Sequence, residues 1–318
     1  MAKRVTLGID LNGLQLPTPV LAASGCFGSG KEMSEIVDLK RIGGIVTKTV
    51  TGEPIRGLPT PRMFETKSGM LNAIGIQNGG VEAFVRKEGA WIARAGAPII
   101  VSIGGKTVQE FADVAVRVSQ IPGVTALEAN ISSPNFNRGG QLFARDPAAS
   151  AEVISTVTRM THLPVFAKLT ADVTDIVEVA DACVRSGAHG LSLINTLSGM
   201  AIDVETFKPV LGAITGGLSG PAIRPVAIRA VFQVARAFPE TPILGIGGIT
   251  DAPSAIEFLL AGAWAVQVGT ANYYNPEATA EIGQGIGEFL LRRGMRSPAD
   301  LRGKVVAPPT SEPAYHGG

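Results

Sequence analysis

Eight short apolar runs, each closed by glycine, proline or a polar turn, recur along the 318-residue chain. They are 19–24 (PVLAAS), 43–50 (GGIVTKTV), 98–105 (PIIVSIGG), 126–132 (ALEANIS), 164–170 (PVFAKLT), 190–196 (GLSLINT), 242–249 (PILGIGGI) and 265–271 (AVQVGTA). Continuous apolar runs of this length suit parallel strands covered on both faces. Between them lie helical patterns. Residues 107–119 place Val108, Phe111, Ala112, Ala115 and Val118 on one face, and 146–160 opens with Asp146-Pro147, a cap followed by proline at the first helical position. Segments 173–186, 222–238, 251–262 and 276–293 read alike, with Asp251 and Asn275 as caps. Strand–helix alternation of this kind predicts an α/β fold of the (β/α)8 TIM-barrel type, as one domain over residues 1–318. A doubly wound sheet is the alternative, but nothing in the chain marks a dinucleotide fold.

The strand starts are unevenly spaced. The intervals from 43 to 98 and from 190 to 242 exceed the others, and both follow the C-terminal end of a strand, the catalytic face of a barrel. These insertions after strands 2 and 6 are rich in Gly and Pro (Pro54, Gly57, Pro59, Pro61 and Gly69; Gly212, Gly216, Gly217 and Gly220) and are expected to form lids or walls over a pocket. Residues 4–18, with Asn12-Gly13 in the middle, predict a hairpin closing the barrel bottom. The polar tail 306–318 is expected to fray.

Composition narrows the function. Hydrophobic residues are 45% and charged residues 17%, the profile of a packed enzyme rather than a disordered chain. Basic and acidic side chains number 28 and 27, which argues against a nucleic-acid surface. No apolar run reaches the roughly 18 residues of a membrane span, and the start of the chain turns polar too soon for a signal peptide. A cytoplasmic location is the simplest expectation. Two cysteines, Cys26 and Cys183, cannot ligate an iron–sulfur cluster, and three histidines make a metal site or Ser-His-Asp chemistry improbable.

Polar residues gather at the strands' C-terminal ends: Ser24, Lys48, Ser102, Asn130, Ser132, Lys168, Asn195 and Thr196. In a barrel such positions line the active site. Lys48 and Lys168 sit inside apolar strands, where a cation needs an anion or an electron-rich ring. The strands offer no acidic partner besides Glu128, so a bound ligand is the expected counter-ion, with a buried ion pair as the plainer reading. Gly245-Ile246-Gly247-Gly248-Ile249 and Val268-Gly269-Thr270 end strands 7 and 8, whose loops grip phosphate in many barrels. A phosphorylated ligand follows, FMN among the candidates; tight turns alone are the alternative. Gly25-Cys26-Phe27-Gly28-Ser29-Gly30-Lys31 fits the start of a P-loop, but Glu32 replaces the Ser or Thr that binds Mg²⁺. Glu128-Ala129-Asn130-Ile131-Ser132-Ser133-Pro134-Asn135 sets carboxamides around hydroxyls, suited to a planar imide or amide edge, though an Asn/Ser-rich turn would look the same.

The run Asn130-Ile131-Ser132-Ser133-Pro134-Asn135 resembles the catalytic-loop signature of dihydroorotate dehydrogenases. Further segments agree in order and spacing: Ser24-Gly25 with Phe27-Gly28, Thr47-Lys48-Thr49, Gly69 to Asn78, Ala167-Lys168-Leu169, Asn195-Thr196, Gly217 to Ala222 and Gly245 to Thr250. Gly69-Met70-Leu71-Asn72-Ala73-Ile74-Gly75 and Leu218-Ser219-Gly220-Pro221-Ala222 look like the class 1 branch, in which a catalytic subunit pairs with an electron-transfer subunit in the NAD-linked type. The membrane-associating extension of class 2 is not expected here. Two positions depart: Ser133 stands where class 1 enzymes usually carry a Cys base, and Ser102 where relatives often have Asn near the flavin.

The resemblance implies FMN-dependent oxidation of dihydroorotate to orotate in pyrimidine synthesis. By motif position Ser133 is the base for the C5 proton and flavin N5 takes the C6 hydride. A serine hydroxyl is a feeble base, so a water or hydroxyl relay is expected, with turnover still rising at alkaline pH. Asn72, Asn130, Asn135, Asn195 and Thr196 would hold the substrate ring; Lys48 and the backbone N–H groups of Ile74, Gly75 and Ile76 would face its carboxylate. Lys168 would sit by flavin N1/O2. Ala23, Ser24, Gly25, Lys48, Thr49, Ser102, Asn130, Ile194, Gly220, Gly247, Gly248, Gly269 and Thr270 would cradle the FMN. FAD and a [2Fe–2S] cluster belong to a partner subunit, in a homodimer or a heterotetramer. The rival readings are another FMN barrel reductase acting on a dihydropyrimidine or dihydrouridine, and a noncatalytic phosphate-ligand-binding barrel. The oxidant is left open among NAD⁺, fumarate and quinones.

Overall fold

A computed structural model describes residues 5–133, 137–138 and 141–306. Eight parallel strands close a barrel in chain order: β1 (Val20–Ala22), β2 (Gly44–Val46), β3 (Ile99–Ile103), β4 (Val124–Ala129), β5 (Val165–Leu169), β6 (Gly190–Leu193), β7 (Ile243–Ile246) and β8 (Ala265–Val268). β8 pairs back onto β1 through Val266–Val20, so no sheet edge remains open. Each strand lies within a sequence-predicted run, except that β4 starts at Val124.

The helices α1 (Gly80–Ile92), α2 (Val108–Ser119), α3 (Pro147–Met160), α4 (Ile176–Arg185), α5 (Arg224–Ala237) and α6 (Ala252–Ala261) cover the barrel, followed by the short α7 (Ala271–Tyr274) and α8 (Ala278–Arg292). Asp146 caps α3 by accepting from the backbone N–H groups of Ala148 (2.9 Å) and Ala149 (3.3 Å). Asp251 caps α6 in a reciprocal box with Ser254. Two differences from expectation stand out. α1 closes the insertion after β2, where the flanking glycines mask its helical spacing. Between β1 and β2 the chain makes two 3₁₀ turns, Met33–Glu35 and Leu39–Arg41, instead of an α-helix.

Residues Ile9–Leu11 and Leu14–Leu16 form the hairpin, with Asn12 and Gly13 both at positive φ (53° and 105°), as a two-residue turn of this hand requires. Its Leu11, Leu14 and Leu16 pack with Leu21, Val46, Ile100, Ala126, Phe166, Leu244 and Ala265 to plug the barrel's lower end. Burial of large aliphatic side chains contributes about 1.5–3 kcal/mol each.

The two insertions meet. Met63–Thr66 and Gly69–Asn72 come from the first, Leu197–Gly199 and Gly216–Ser219 from the second. They form one antiparallel four-stranded sheet in which Gly69–Asn72 pairs with Gly216–Ser219. Leu71, Ala73 and Leu211 give this sheet its own small buried cluster. Sequence reasoning expected lids over a pocket; the structure makes them a single lid.

Candidate active site

A cavity of about 980 Å³ lies between the C-terminal ends of the barrel strands and the lid sheet. That is the upper end of the roughly 300–1,000 Å³ typical of ligand pockets. Among the described residues, its charged lining is Lys48, Arg62, Lys67 and Lys168, with no Asp or Glu. A chain of net charge +1 has gathered cations at one place and kept acids out of the described lining, which favours anionic ligands.

One side of the cavity is backbone. Gly220, Gly247, Gly248, Gly269 and Thr270 line it, beside the start of α5. Gly248 has φ 74°, and a Cβ there would lie 2.9 Å from the Gly220 carbonyl oxygen and 3.0 Å from the Arg224 nitrogen. No side chain fits between these two loops, so main-chain N–H groups can approach a ligand directly. Thr270 donates to Ser219 across 2.8 Å, joining the β8 loop to the lid.

The opposite side is a carboxamide–hydroxyl network on the barrel rim. Asn130 donates from Nδ2 to Thr49 (3.0 Å), and Thr49 shares a 2.9 Å hydrogen bond with Ser102. Asn195 donates from Nδ2 to Ser132 (2.9 Å) and to Asn130 Oδ1 (3.3 Å). These bonds fix two amides whose remaining polar atoms can meet a planar substrate. Ser133 follows on this loop, 5% exposed and lining the cavity. Lid residue Asn72 donates to the Gly217 carbonyl (3.3 Å), tying the two insertions together. Gly75 and Ile76 take positive φ (75° and 52°), a conformation rare for isoleucine. Asn78 holds that turn by donating to the Ile76 carbonyl (2.8 Å) and accepting from the Gly80 N–H (2.8 Å).

The two strand lysines differ. Lys168 finds Glu128 at 3.2 Å, so the ion pair that sequence reasoning ranked second to a ligand is present. Lys48 has no such partner among the described residues; burial and then the nearby Arg62 push its pKa down. Cys26 also lines the cavity, its thiol pushed up to about 11, chiefly by burial, with Lys168 and Tyr273 pulling it back.

Most of the expected site comes together. Ala23, Ser24, Gly25, Lys48 and Thr49 line the cavity from β1 and β2, Asn72, Ile74, Gly75 and Ile76 from the lid, and Asn130, Ser133, Lys168, Ile194, Asn195 and Thr196 from the rim. Ser102 departs from the expected lining: it is fully buried, lies outside the cavity wall and shares its hydroxyl hydrogen bond with Thr49. Asn135 lies outside the described residues. The P-loop look-alike folds as turns leading to the Met33–Glu35 3₁₀ turn, with Lys31 exposed, and makes no nucleotide cradle. Sequence reasoning missed Arg62, Gln77, Cys26, Ser219 and Tyr273 in the lining. Arginines in the glycine- and proline-rich insertion, Arg56 and Arg62, were the available signal.

Fold and cavity define a (β/α)8-barrel enzyme with its polar groups at the strands' C-terminal ends. Residues 6–290 match the family profile described as Dihydroorotate dehydrogenase, and the chain belongs to that family. It is 52% identical over 297 residues to the "Dihydroorotate dehydrogenase B (NAD(+)), catalytic subunit" of Pelobacter propionicus, covering 93% of this chain and 97% of that protein. The protein of the same description from Geotalea daltonii is 50% identical over 299 residues, covering 94% and 98%. In fold, the chain matches the crystal structure of DHODH from Eimeria tenella in complex with ferulenol, with TM-score 0.79 and 22% identity over 94% of this chain and 88% of that one. No helix among the described residues is long and apolar enough to cross a membrane.

Proposed function

We propose that this chain oxidises dihydroorotate to orotate, using FMN held in the cavity, as the catalytic subunit of an NAD⁺-linked enzyme of pyrimidine synthesis. The observation that carries the reading is the cavity itself: a backbone cradle at one end, an amide–hydroxyl rim at the other, cations throughout and no carboxylate among its described lining residues. It suits a phosphate and a carboxylate together. A dihydropyrimidine or dihydrouridine lacks the carboxylate and would leave Lys48 and Arg62 without an anion.

The residues present fit FMN. Gly220, Gly247, Gly248, Gly269 and Thr270 would hold its phosphate, and Ala23, Ser24, Gly25, Thr49 and Ile194 its ring, with Lys168 at the pyrimidine edge. When bound, FMN supplies the acceptor for the C6 hydride. Lys48 and the backbone N–H groups of Ile74, Gly75 and Ile76 bind the substrate carboxylate, and Asn72, Asn130, Asn195, Thr196 and Asn135 orient the ring. Ser133 takes the C5 proton. Its hydroxyl must pass a proton onward as it does so, because no alkoxide persists at neutral pH. We infer a relay of water or hydroxyls; the described lining holds no histidine.

The NAD⁺ linkage and a partner subunit rest on the relatives' description as NAD(+) catalytic subunits; FAD and [2Fe–2S] in that partner, homodimerisation and a cytoplasmic location are what the family resemblance implies. Purified protein should be yellow, release FMN on denaturation and reduce NAD⁺ only with its partner. A colourless protein that ignores dihydroorotate would overturn the reading.

A further inference from the structure

Glu128 is the only buried carboxylate among the described residues, and it is not part of the lining of the active-site cavity. One of its oxygens accepts from Lys168 Nζ at 3.2 Å. The other accepts from Ser192 Oγ at 2.8 Å and Gln267 Nε2 at 2.9 Å. The carboxylate therefore has three donors inside the barrel, above the apolar plug and below the cavity floor. Gln267 is fully buried, yet its Oε1 has no hydrogen-bond partner. Turning the amide over would point that oxygen at the carboxylate, so Glu128 sets its orientation. Stability is a weak account of the cluster, because buried ion pairs are often no better than apolar side chains of similar volume. An apolar layer could not hold an ammonium at one place while cancelling part of its charge.

We infer that Glu128 is a positioning residue: it clamps Lys168 at the cavity floor and offsets part of its field, and so sets the reduction potential of the bound flavin. The inference rests on the reading that FMN occupies the cavity with Lys168 at its pyrimidine edge. Negative charge added to that ring is stabilised by Lys168 and opposed by the carboxylate behind it. Lys48 supplies the contrast, since no carboxylate meets it among the described residues and its neighbour is Arg62. One lysine is tuned for a resident group, the other left open for an anion that comes and goes.

The test is Glu128→Gln in the purified FMN-bound protein, read by the flavin reduction potential and by the affinity for sulfite, which adds to oxidised flavin and leaves the ring negative. Sulfite should bind at least tenfold tighter. The equilibrium for reduction should rise tenfold, about 30 mV for a two-electron couple. Ser192→Ala strips a donor from the carboxylate without changing net charge. It should move both readouts the other way, by about threefold, and it keeps the test open if Glu128→Gln does not fold. A flavin-loaded Glu128→Gln protein with unchanged or weaker sulfite binding overturns the inference; so does an unmoved Ser192→Ala protein. A structural role would alter thermal stability and flavin loading without these opposed shifts. Wild-type protein that binds no FMN removes the underlying reading instead, and shows it by having no flavin spectrum to titrate.

Discussion

Across the eight barrel strands only Thr125 is not buried, whereas in the lid sheet Met63, Phe64 and Glu65 face solvent and Gly216–Ser219 is half-buried throughout. The barrel strands are rich in branched apolar residues packed on both faces. The lid strands are short, rich in glycine and held by antiparallel pairing between segments far apart in sequence. On the proposed reading the barrel supplies the stability, the rim chemistry and Lys48, and the lid supplies the backbone that meets the substrate's carboxylate and part of its ring. Changes in one region should therefore be read in melting, and in the other in substrate use.

The sharpest effect belongs to the rim. Ser133→Ala should lower kcat by roughly 10²–10⁴, the usual contribution of a positioned base, while FMN stays bound. Steady-state turnover with flavin quantified by absorbance checks this. Wild-type-like turnover would move the base elsewhere.

A matched pair of substitutions tests the comparison itself. In the lid, a Cβ on Gly69 would strike the Ser219 carbonyl oxygen. Gly69→Ala should cut kcat/KM by roughly ten- to a hundredfold, since small misplacements of substrate-holding groups have that effect, with little change in melting. In the barrel, a Cβ on Gly190 would lie 2.6 Å from the Pro242 carbonyl oxygen. Gly190→Ala should destabilise by roughly 1–3 kcal/mol, as overpacking of a core does, visible as a lower Tm. If both variants lost stability equally and neither changed KM, the division of labour would fail.

The smallest effect concerns pH. Burial and Arg62 lower the pKa of Lys48, so its cation is lost at a lower pH than an ordinary lysine's. On the proposed reading the cation is the form that binds the carboxylate. KM for dihydroorotate should therefore rise on the alkaline side, earlier than a normal lysine predicts. Arg62→Gln removes one of the two causes and should move that rise to higher pH. A KM flat with pH would take Lys48 out of carboxylate binding.

What could be read in the sequence follows the same line. Buried parallel strands announce themselves locally, and seven of the eight lie wholly inside their predicted runs, with β4 starting two residues early. The caps at Asp146 and Asp251 were equally local. The lid was legible as two long insertions but not as one sheet, because pairing of Leu71 with Leu218 is invisible to periodicity. Helix α1 was missed because glycines flank and interrupt it. The strand-end rule brought most site residues to the cavity, but it could not tell an inward-facing residue on the rim from one a layer deeper. Ser102 therefore appeared as a ligand contact when it sits beneath Thr49. Glu128 was noticed as the sole acid near two lysines, yet which lysine it would meet required the barrel register.

Anaerobic mixing of the FMN-loaded protein with dihydroorotate, followed at the flavin absorbance band, tests the central claim most directly. The wild-type protein should bleach in a single rapid phase, and Ser133→Ala protein with the same flavin content should keep its colour over that time. A loaded wild-type protein that stays yellow, or a variant that bleaches as fast, would contradict the account.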